Sequence, residues 1–368
     1  MSSPTTIVRL DAELLDVDLT VPFGIASGAQ PRANNVLVRV ILADGTCGLG
    51  EAAPFPAVTG ETQASMLAAL DGLRPRVLGA DALSWRALAD AWREAAPAAK
   101  AARCALEVAL LDAWTKRAGI ALRTFFGGVE STLRTGMTVT TGDVAEARDA
   151  AQDIADRGIA TFKIKVGATD WSHDVERVVA VRDVAPLGRI LLDGNGGLEA
   201  ADALRLVREL DRLEVPIALF EQPCAADDLD GMARVTHGCN VPVCADESVT
   251  TPADALALVR SGACAAFNIK LMKSGVAHAL AIASIAKAAG YGLMIGGMVE
   301  TVLAMSASAC FAAGLGGFAY VDLDTPMFMR TNPFRGGYAQ RGDVLDLTAI
   351  ESGHGVRELS ADATNSSS

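Results

Sequence analysis

At 368 residues, 51% hydrophobic and 21% charged, the chain is too apolar for a disordered protein and long enough for a large domain with a second unit. A net charge of −12 without any Lys/Arg cluster argues against a nucleic-acid partner, and no apolar run approaches the roughly 18 residues that cross a bilayer, so no membrane partner is expected. The first ten residues lack a signal-peptide pattern, the seven cysteines form no C-x-x-C pair, and the four histidines show no zinc spacing, which predicts a cytoplasmic protein with reduced core thiols.

Residues 1–130 read as an α+β unit. Ile7–Leu19 and Asn35–Leu42 alternate as antiparallel strands, and Asp44-Gly45 supplies a turn. Glu61–Leu73, Ser84–Ala95 and Ala98–Lys116 are rich in alanine and leucine, both strong helix formers.

From 131 to 324 eight β-rich apolar runs recur: Thr135–Thr141, Ala160–Val166, Arg189–Asp193, Ile217–Glu221, Val241–Asp246, Ala265–Lys270, Tyr291–Gly296 and Phe318–Asp322. Amphipathic segments such as Asp143–Arg157, Asp202–Arg212 and Pro252–Ser261 lie between them. Parallel strands need crossover helices, so the pattern predicts an α/β fold, a (β/α)-barrel of modified TIM type. An open doubly wound sheet fits less well, because the glycine-rich phosphate loop it carries is missing. Residues 325–360 mix proline, glycine and short apolar runs and are expected to pack back on the N-terminal unit, completing it as a cap. Residues 361–368 are polar and expected to be a disordered tail.

Such barrels gather their chemistry at the C-terminal strand ends. Here five consecutive runs end in charge: Lys163-Ile164-Lys165, Asp193, Glu221, Asp246 and Lys270. Three carboxylates on one mouth repel unless a cation neutralises them, and an all-oxygen set without His or Cys calls for Mg2+, with Mn2+ as a possible substitute. A structural network of salt bridges explains one such strand end as well as a site does, but not five in a row. Amines on opposite sides of the acids suit epimerisation: one lysine removes an α-proton, the metal stabilises the enediolate, and the other lysine returns a proton with inversion. Lys165 is the expected base, Lys163 its electrostatic helper and Lys270 the partner on the other face.

These motifs, with Asp193-Gly-Asn195, Glu221-Gln-Pro223, Asp246-Glu-Ser248, Asn268-Ile-Lys270-Leu-Met-Lys273-Ser-Gly and Gly296-Gly-Met298-Val-Glu300, resemble the muconate-lactonizing branch of the enolase superfamily over nearly the whole chain. Gly50-Glu-Ala-Ala-Pro54 and Phe126-Gly-Gly128 resemble that family's capping domain and its link to the barrel. The resemblance implies a cap closing over the barrel mouth, with loops Pro22–Gly28 and Phe55–Gly60 shaping specificity. Asp322-Leu323-Asp324-Thr-Pro resembles the paired-aspartate signature of dipeptide epimerases, in which the acids hold the α-ammonium of a small-molecule dipeptide. A strand end leading into a turn would carry the same residues. By the same resemblance Thr138, Gly296 and Met298 line the substrate with Lys163, while Asn195 and Glu247 support the site from behind. Threonine and methionine are also ordinary barrel filling. A homo-oligomer is expected.

Members specific for Ala-Glu carry an arginine near the present Gly28. Here Phe23, Ile25, Gly28 and Phe55 leave no cation to pair an acidic side chain, which predicts a dipeptide with a hydrophobic second residue such as L-Ala-L-X. The rival readings are o-succinylbenzoate synthesis, N-succinylamino-acid racemisation or muconate cycloisomerisation on the same site, whose substrates lack a free α-ammonium, and a non-catalytic metal-binding protein on the same fold.

Overall fold

The computed structural model describes residues 3–25 and 28–359, so the tail 361–368 lies outside the described residues. The chain opens with an antiparallel meander, β1 (Ile7–Ile25), β2 (Gly28–Leu42) and β3 (Cys47–Ala52). Val36, Val38, Val40 and Leu42 of β2, spaced by two, are fully buried. Helices α1 (Pro56–Thr59), α2 (Gln63–Val77), α3 (Trp85–Ala95), α4 (Lys100–Ala118) and α5 (Leu122–Phe125) follow. The central helix α4 lies directly on β3, where a side chain at Gly48 or Gly50 would collide with the carbonyls of Ala109 and Ala105.

Two expected loops take defined shapes. Of the expected loop Pro22–Gly28, the described residues 22–25 and 28 continue β1 and β2, pairing Phe23 with Gln30, Gly24 with Ala29 and Ile25 with Gly28 after a register shift beyond Asp18, while 26 and 27 lie outside the described residues. Phe55–Gly60 contains the one-turn helix α1, started by Pro56 and closed by Gly60 in the left-handed region.

After β4 (Thr132–Arg134), strands and helices alternate: β5 (Met137–Val139), α6 (Val144–Asp156), β6 (Thr161–Lys165), α7 (Trp171–Val184), β7 (Arg189–Asp193), α8 (Ala200–Arg212), β8 (Ile217–Glu221) and α9 (Leu229–Gly238). The series goes on through β9 (Val243–Ala245), α10 (Pro252–Ser261), β10 (Ala266–Ile269), α11 (Leu271–Ala289), β11 (Gly292–Ile295), α12 (Val302–Leu315) and β12 (Phe318–Val321). The eight strands β5 to β12 pair in parallel in chain order. The Gly136 amide donates to the Val321 carbonyl at 2.9 Å, joining the chain that enters β5 to β12. Leu191, Leu219, Cys244, Ala266 and Met294, from five successive strands, pack as a small separate cluster, the side-chain filling of a barrel.

Strands β13 (Phe334–Gly336), β14 (Ala339–Arg341), β15 (Val344–Asp346) and β16 (Val356–Glu358) complete the chain, with β15 pairing to β4 and β13 to β16. This segment touches the N-terminal helices: the Leu122 amide donates to the Gly353 carbonyl at 2.7 Å, and the His354 amide to the Asp112 carboxylate at 3.0 Å. Among the described residues no helix is long and apolar enough to cross a membrane.

Candidate active site

Strand register builds the site. Lys165 pairs with Asp193, and Asp193 with Glu221, as directly opposed residues on neighbouring strands. Asp246 and Lys270 stand one residue beyond β9 and β10. All five are buried. Lys163 Nζ lies 2.8 Å from both Asp193 Oδ2 and Glu221 Oε2, and 2.6 Å from Asp322 Oδ2. Lys165 Nζ donates to Asp193 Oδ2 at 2.7 Å and to Asn195 Oδ1 at 3.0 Å. Lys270 Nζ is 2.7 Å from Asp246 Oδ2. β6 and β10 stand four places apart in a ring of eight, so Lys165 and Lys270 enter from opposite sides, each over its own carboxylate.

Residues that carried no role in the sequence reading hold these groups in place. Lys273, on the first turn of α11, donates to the other Asp246 oxygen and, at 2.5 Å, to the Asp246 carbonyl. Asn268 Nδ2 donates to Glu221 Oε1 at 2.7 Å, and Gln222 Oε1 accepts the Asp246 amide at 2.8 Å. All three lie inside the motifs around Glu221 and Lys270, so their presence was visible but their targets were not.

The charges are unevenly compensated. Burial opposes the Lys163 ammonium, yet Asp193, Asp322 and Glu221 together push its pKa well above the usual lysine value, so the expected electrostatic helper of Lys165 is a cation paired with three carboxylates. Burial likewise opposes the Lys270 charge, and Asp246 raises it. Burial would raise Asp193 and Asp246, but the lysines hold both below the ordinary carboxylate range. Glu221 is pushed up to about 8 by burial and by the charge of Asp193. Asp324 rises to about 7 through burial and the neighbouring Asp322.

Phe23, Phe55, Val58, Lys163, Lys165, Asn195, Glu247, Lys270, Gly297, Met298, Asp322, Asp324 and Thr325 enclose a cavity of about 20 Å3, with Phe23 contributed by the end of β1 and Phe55 and Val58 by the α1 turn. Asn195 and Glu247, expected behind the site, face it: Asn195 Nδ2 donates to Glu247 Oε1 at 3.2 Å. Thr138 lies off the cavity wall, its backbone amide donating to Asp324 Oδ2 at 2.7 Å. Gly296 stands behind the wall, where a Cβ would come within 3.2 Å of Lys270 Cε, and Gly297 takes the lining position. The backbone pairing of Ile25 and Gly28 is described, but their side-chain surroundings lie outside the described residues. A larger groove of about 760 Å3, lined by Val21, Pro22, Met137, Glu146 and Phe328 among others, runs along the end of β1 and contains none of the strand-end lysines or acids.

The acids suit a hard divalent cation by their chemistry. Among the described residues no three His, Cys, Asp or Glu side chains already stand as a metal cage; Lys163 lies between Asp193 and Glu221, and Lys270 and Lys273 rest on Asp246. However, Glu221 Oε2 and Asp246 Oδ2 are buried without a hydrogen bond even though a lysine is close by. Four lysines (Lys163, Lys165, Lys270, Lys273) meet six carboxyl groups (Asp193, Glu221, Asp246, Glu247, Asp322, Asp324) here, and burial with mutual repulsion raises Glu221 and Asp324, a repulsion that a hard divalent cation among the acids would relieve.

The chain is similar to known proteins over nearly its whole length. Residues 9–127 match the model of the mandelate racemase / muconate lactonizing enzyme N-terminal domain, and residues 146–360 match the enolase C-terminal domain-like model. An aromatic dipeptide epimerase of Herpetosiphon aurantiacus is 50% identical over 96% of this chain and 99% of its own length. A hydrophobic dipeptide epimerase of Citrifermentans bemidjiense is 36% identical over 94% of this chain and 96% of its own. The crystal structure of a dipeptide epimerase from Enterococcus faecalis, complexed with Mg and the dipeptide L-Leu-L-Tyr, superposes with a TM-score of 0.92 at 30% identity, covering 96% of this chain and 100% of that one.

Proposed function

This chain belongs to the mandelate racemase/muconate lactonizing enzyme family of the enolase superfamily, and from that premise we propose that it epimerises dipeptides at the α-carbon beside the free carboxylate. The observation that carries the reading is the placement of Lys165 and Lys270 on strands four apart, with Asp193, Glu221 and Asp246 on the strands between and Asp322 and Asp324 beyond β12.

In this reading Asp193, Glu221 and Asp246 hold Mg2+, for which Mn2+ can substitute. When bound, the ion supplies positive charge against the negative charge that builds on the substrate carboxylate. Lys165 as free amine takes the α-proton, the C–H electron pair moving into the carboxylate to leave an enediolate. The Lys270 ammonium returns a proton to the opposite face, and the reverse reaction exchanges the two roles. Lys163, fixed by three carboxylates, lends positive charge beside them. Asp322 and Asp324 receive the α-ammonium of the first residue.

Phe23, Phe55, Val58 and Met298 give the cavity an apolar side, and its lining cations already face acids. An acidic substrate side chain would be buried there unpaired, which favours L-Ala-L-X with X apolar or aromatic. A space of about 20 Å3 holds roughly one water, so Phe23 and the α1 turn must withdraw to admit a dipeptide. The seven free thiols, five of them buried, favour a reducing, cytoplasmic setting, and a homo-oligomeric assembly belongs to the same expectation.

The test is a library of L-Ala-L-X and L-X-L-Ala dipeptides incubated with Mg2+ in deuterium oxide and read by mass spectrometry and chiral separation. One deuteron at the second α-carbon with inversion, strongest for apolar or aromatic X, is the expected result. Absence of α-exchange across the library would overturn the proposal.

A further inference from the structure

The turn that carries Lys270 and Lys273 is separated from the rest of its helix. α11 breaks at Gly275, whose φ of 73° and ψ of 165° are not helical, so Leu271–Ser274 forms one turn and the helix restarts at Val276. A Cβ at Gly275 would collide with the carboxylate of Glu107. Glu107 comes from the other domain, on the buried face of α4. Its Oε2 accepts the Ala277 amide at 2.8 Å, capping the restarted helix, while its Oε1 is buried without a hydrogen-bond partner among the described residues. Arg103, one turn earlier on α4, is directed to the carbonyls of Ala99 and Pro97 instead.

A fully buried carboxylate that forms no ion pair among the described residues is a costly way to cap a helix, since a serine or aspartate within the chain would satisfy the same amide. What Glu107 adds is a link between bodies. Through it the N-terminal domain grips α11 at the break that immediately follows the Lys270–Ser274 turn. A shift of that break is passed to a short turn whose two amines both rest on Asp246. Glu51 makes a comparable grip on the next helix, accepting the Thr301 amide at 2.9 Å and the Ala304 amide at 3.2 Å at the start of α12. Two of the barrel's helices are thus seated by acids of the cap.

We propose that Glu107 is a positioning residue for Lys270: by filling the break at Gly275 it fixes the turn that aims this amine at its face of the substrate. The proposal rests on the two-lysine reading above. It has a consequence that general stabilisation lacks, because misplacing Lys270 alone impairs one face. The epimer whose α-proton faces Lys165 can still lose and regain a proton through Lys165, exchanging with solvent without inverting.

The experiment compares α-exchange in deuterium oxide with epimerisation for each epimer of L-Ala-L-Phe, in Mg2+-loaded full-length protein. Lys270→Ala serves as the reference and circular dichroism as the check on folding. Glu107→Ala and the milder Glu107→Asp should raise the ratio of exchange to inversion about tenfold or more for the Lys165-facing epimer only. Glu107→Gln, which keeps the acceptor, should stay within about twofold of wild type. Gly275→Ala, which displaces the carboxylate without altering it, should move the ratio as Glu107→Ala does. Equal loss of exchange and inversion on both epimers, an unchanged ratio in Glu107→Asp and Gly275→Ala, or failure of the Gln variant to rescue would overturn the proposal. If Lys270→Ala itself shows no one-sided exchange, the two-lysine reading fails instead.

Discussion

Lys163 and Asp322 meet at 2.6 Å across the seam of the barrel, joining the second strand to the residue after the eighth. The contact brings the paired aspartates to the same cavity as the strand-end lysines, with Asp324 held by the Thr138 amide beside it.

Replacing Asp322 and Asp324 by Asn should therefore lower kcat/KM for L-Ala-L-Phe by about 30- to 100-fold, the worth of about 2–3 kcal/mol of charge-assisted hydrogen bonding to an ammonium. Steady-state kinetics measure it. Unchanged turnover, or a preference for N-acylated amino acids, would move the protein to the rival reactions that need no free ammonium.

Lys165→Ala should remove exchange from the epimer that Lys270→Ala still exchanges, and neither variant should invert the α-carbon. Proton NMR of each epimer in deuterium oxide reads this directly. Near wild-type inversion in either variant would end the two-base assignment.

Lys273→Met leaves one Asp246 oxygen buried without its cation, and breaking one side of a buried pair costs about 3 kcal/mol or more. Urea denaturation of metal-stripped protein should show that loss. A stability within experimental error of wild type would mean that Lys273 contributes nothing to holding Asp246.

Mg2+ at roughly 100 times its Kd should add about 2.7 kcal/mol to stability by mass action. A thermal melt should rise with Mg2+ and fall back with a chelator, and Glu221→Gln should abolish the response. A melt indifferent to Mg2+ in the wild-type protein would count against the metal site.

Glu300 is buried against the Met298 amide at 2.7 Å, and burial raises its pKa from 4.5 to about 8. A carboxyl raised on folding contributes stability that is complete below the unfolded value and is lost as pH climbs through the folded one. Between about pH 5 and 9 the wild type should accordingly lose on the order of 4 kcal/mol relative to Glu300→Gln. Parallel stability profiles for the two proteins in urea titrations would refute it.

Where a segment is buried on both faces, local pattern and tertiary role coincide. β7 and β8 read directly as Ile-Leu-Leu before Asp193 and Ala-Leu-Phe before Glu221, because strands of a parallel barrel are apolar on both sides until they reach the mouth. The order of charged strand ends then orders the site. The end of β1 at residues 22–25 looked like a loop, since its register lies beyond a shift at Asp18 and it packs on distant residues, Phe23 against Phe328 at 5.5 Å and Gly24 against Thr141.

The sequence by itself determined the barrel, the cap and the residue types at the five consecutive strand ends, because hydrophobic periodicity and strand termini are local properties. Only the tertiary structure decided what those side chains touch. Glu107, Glu51 and Asp112 read as ordinary charges within helix and strand, and become buried fastenings only when another element supplies the amides they accept. Lys163 acquires three counter-charges, two from neighbouring strands and one from the residue that follows β12. Partners far apart in the chain are chosen by packing, and an acid's effect depends on whether the fold leaves it in water or beside a particular donor.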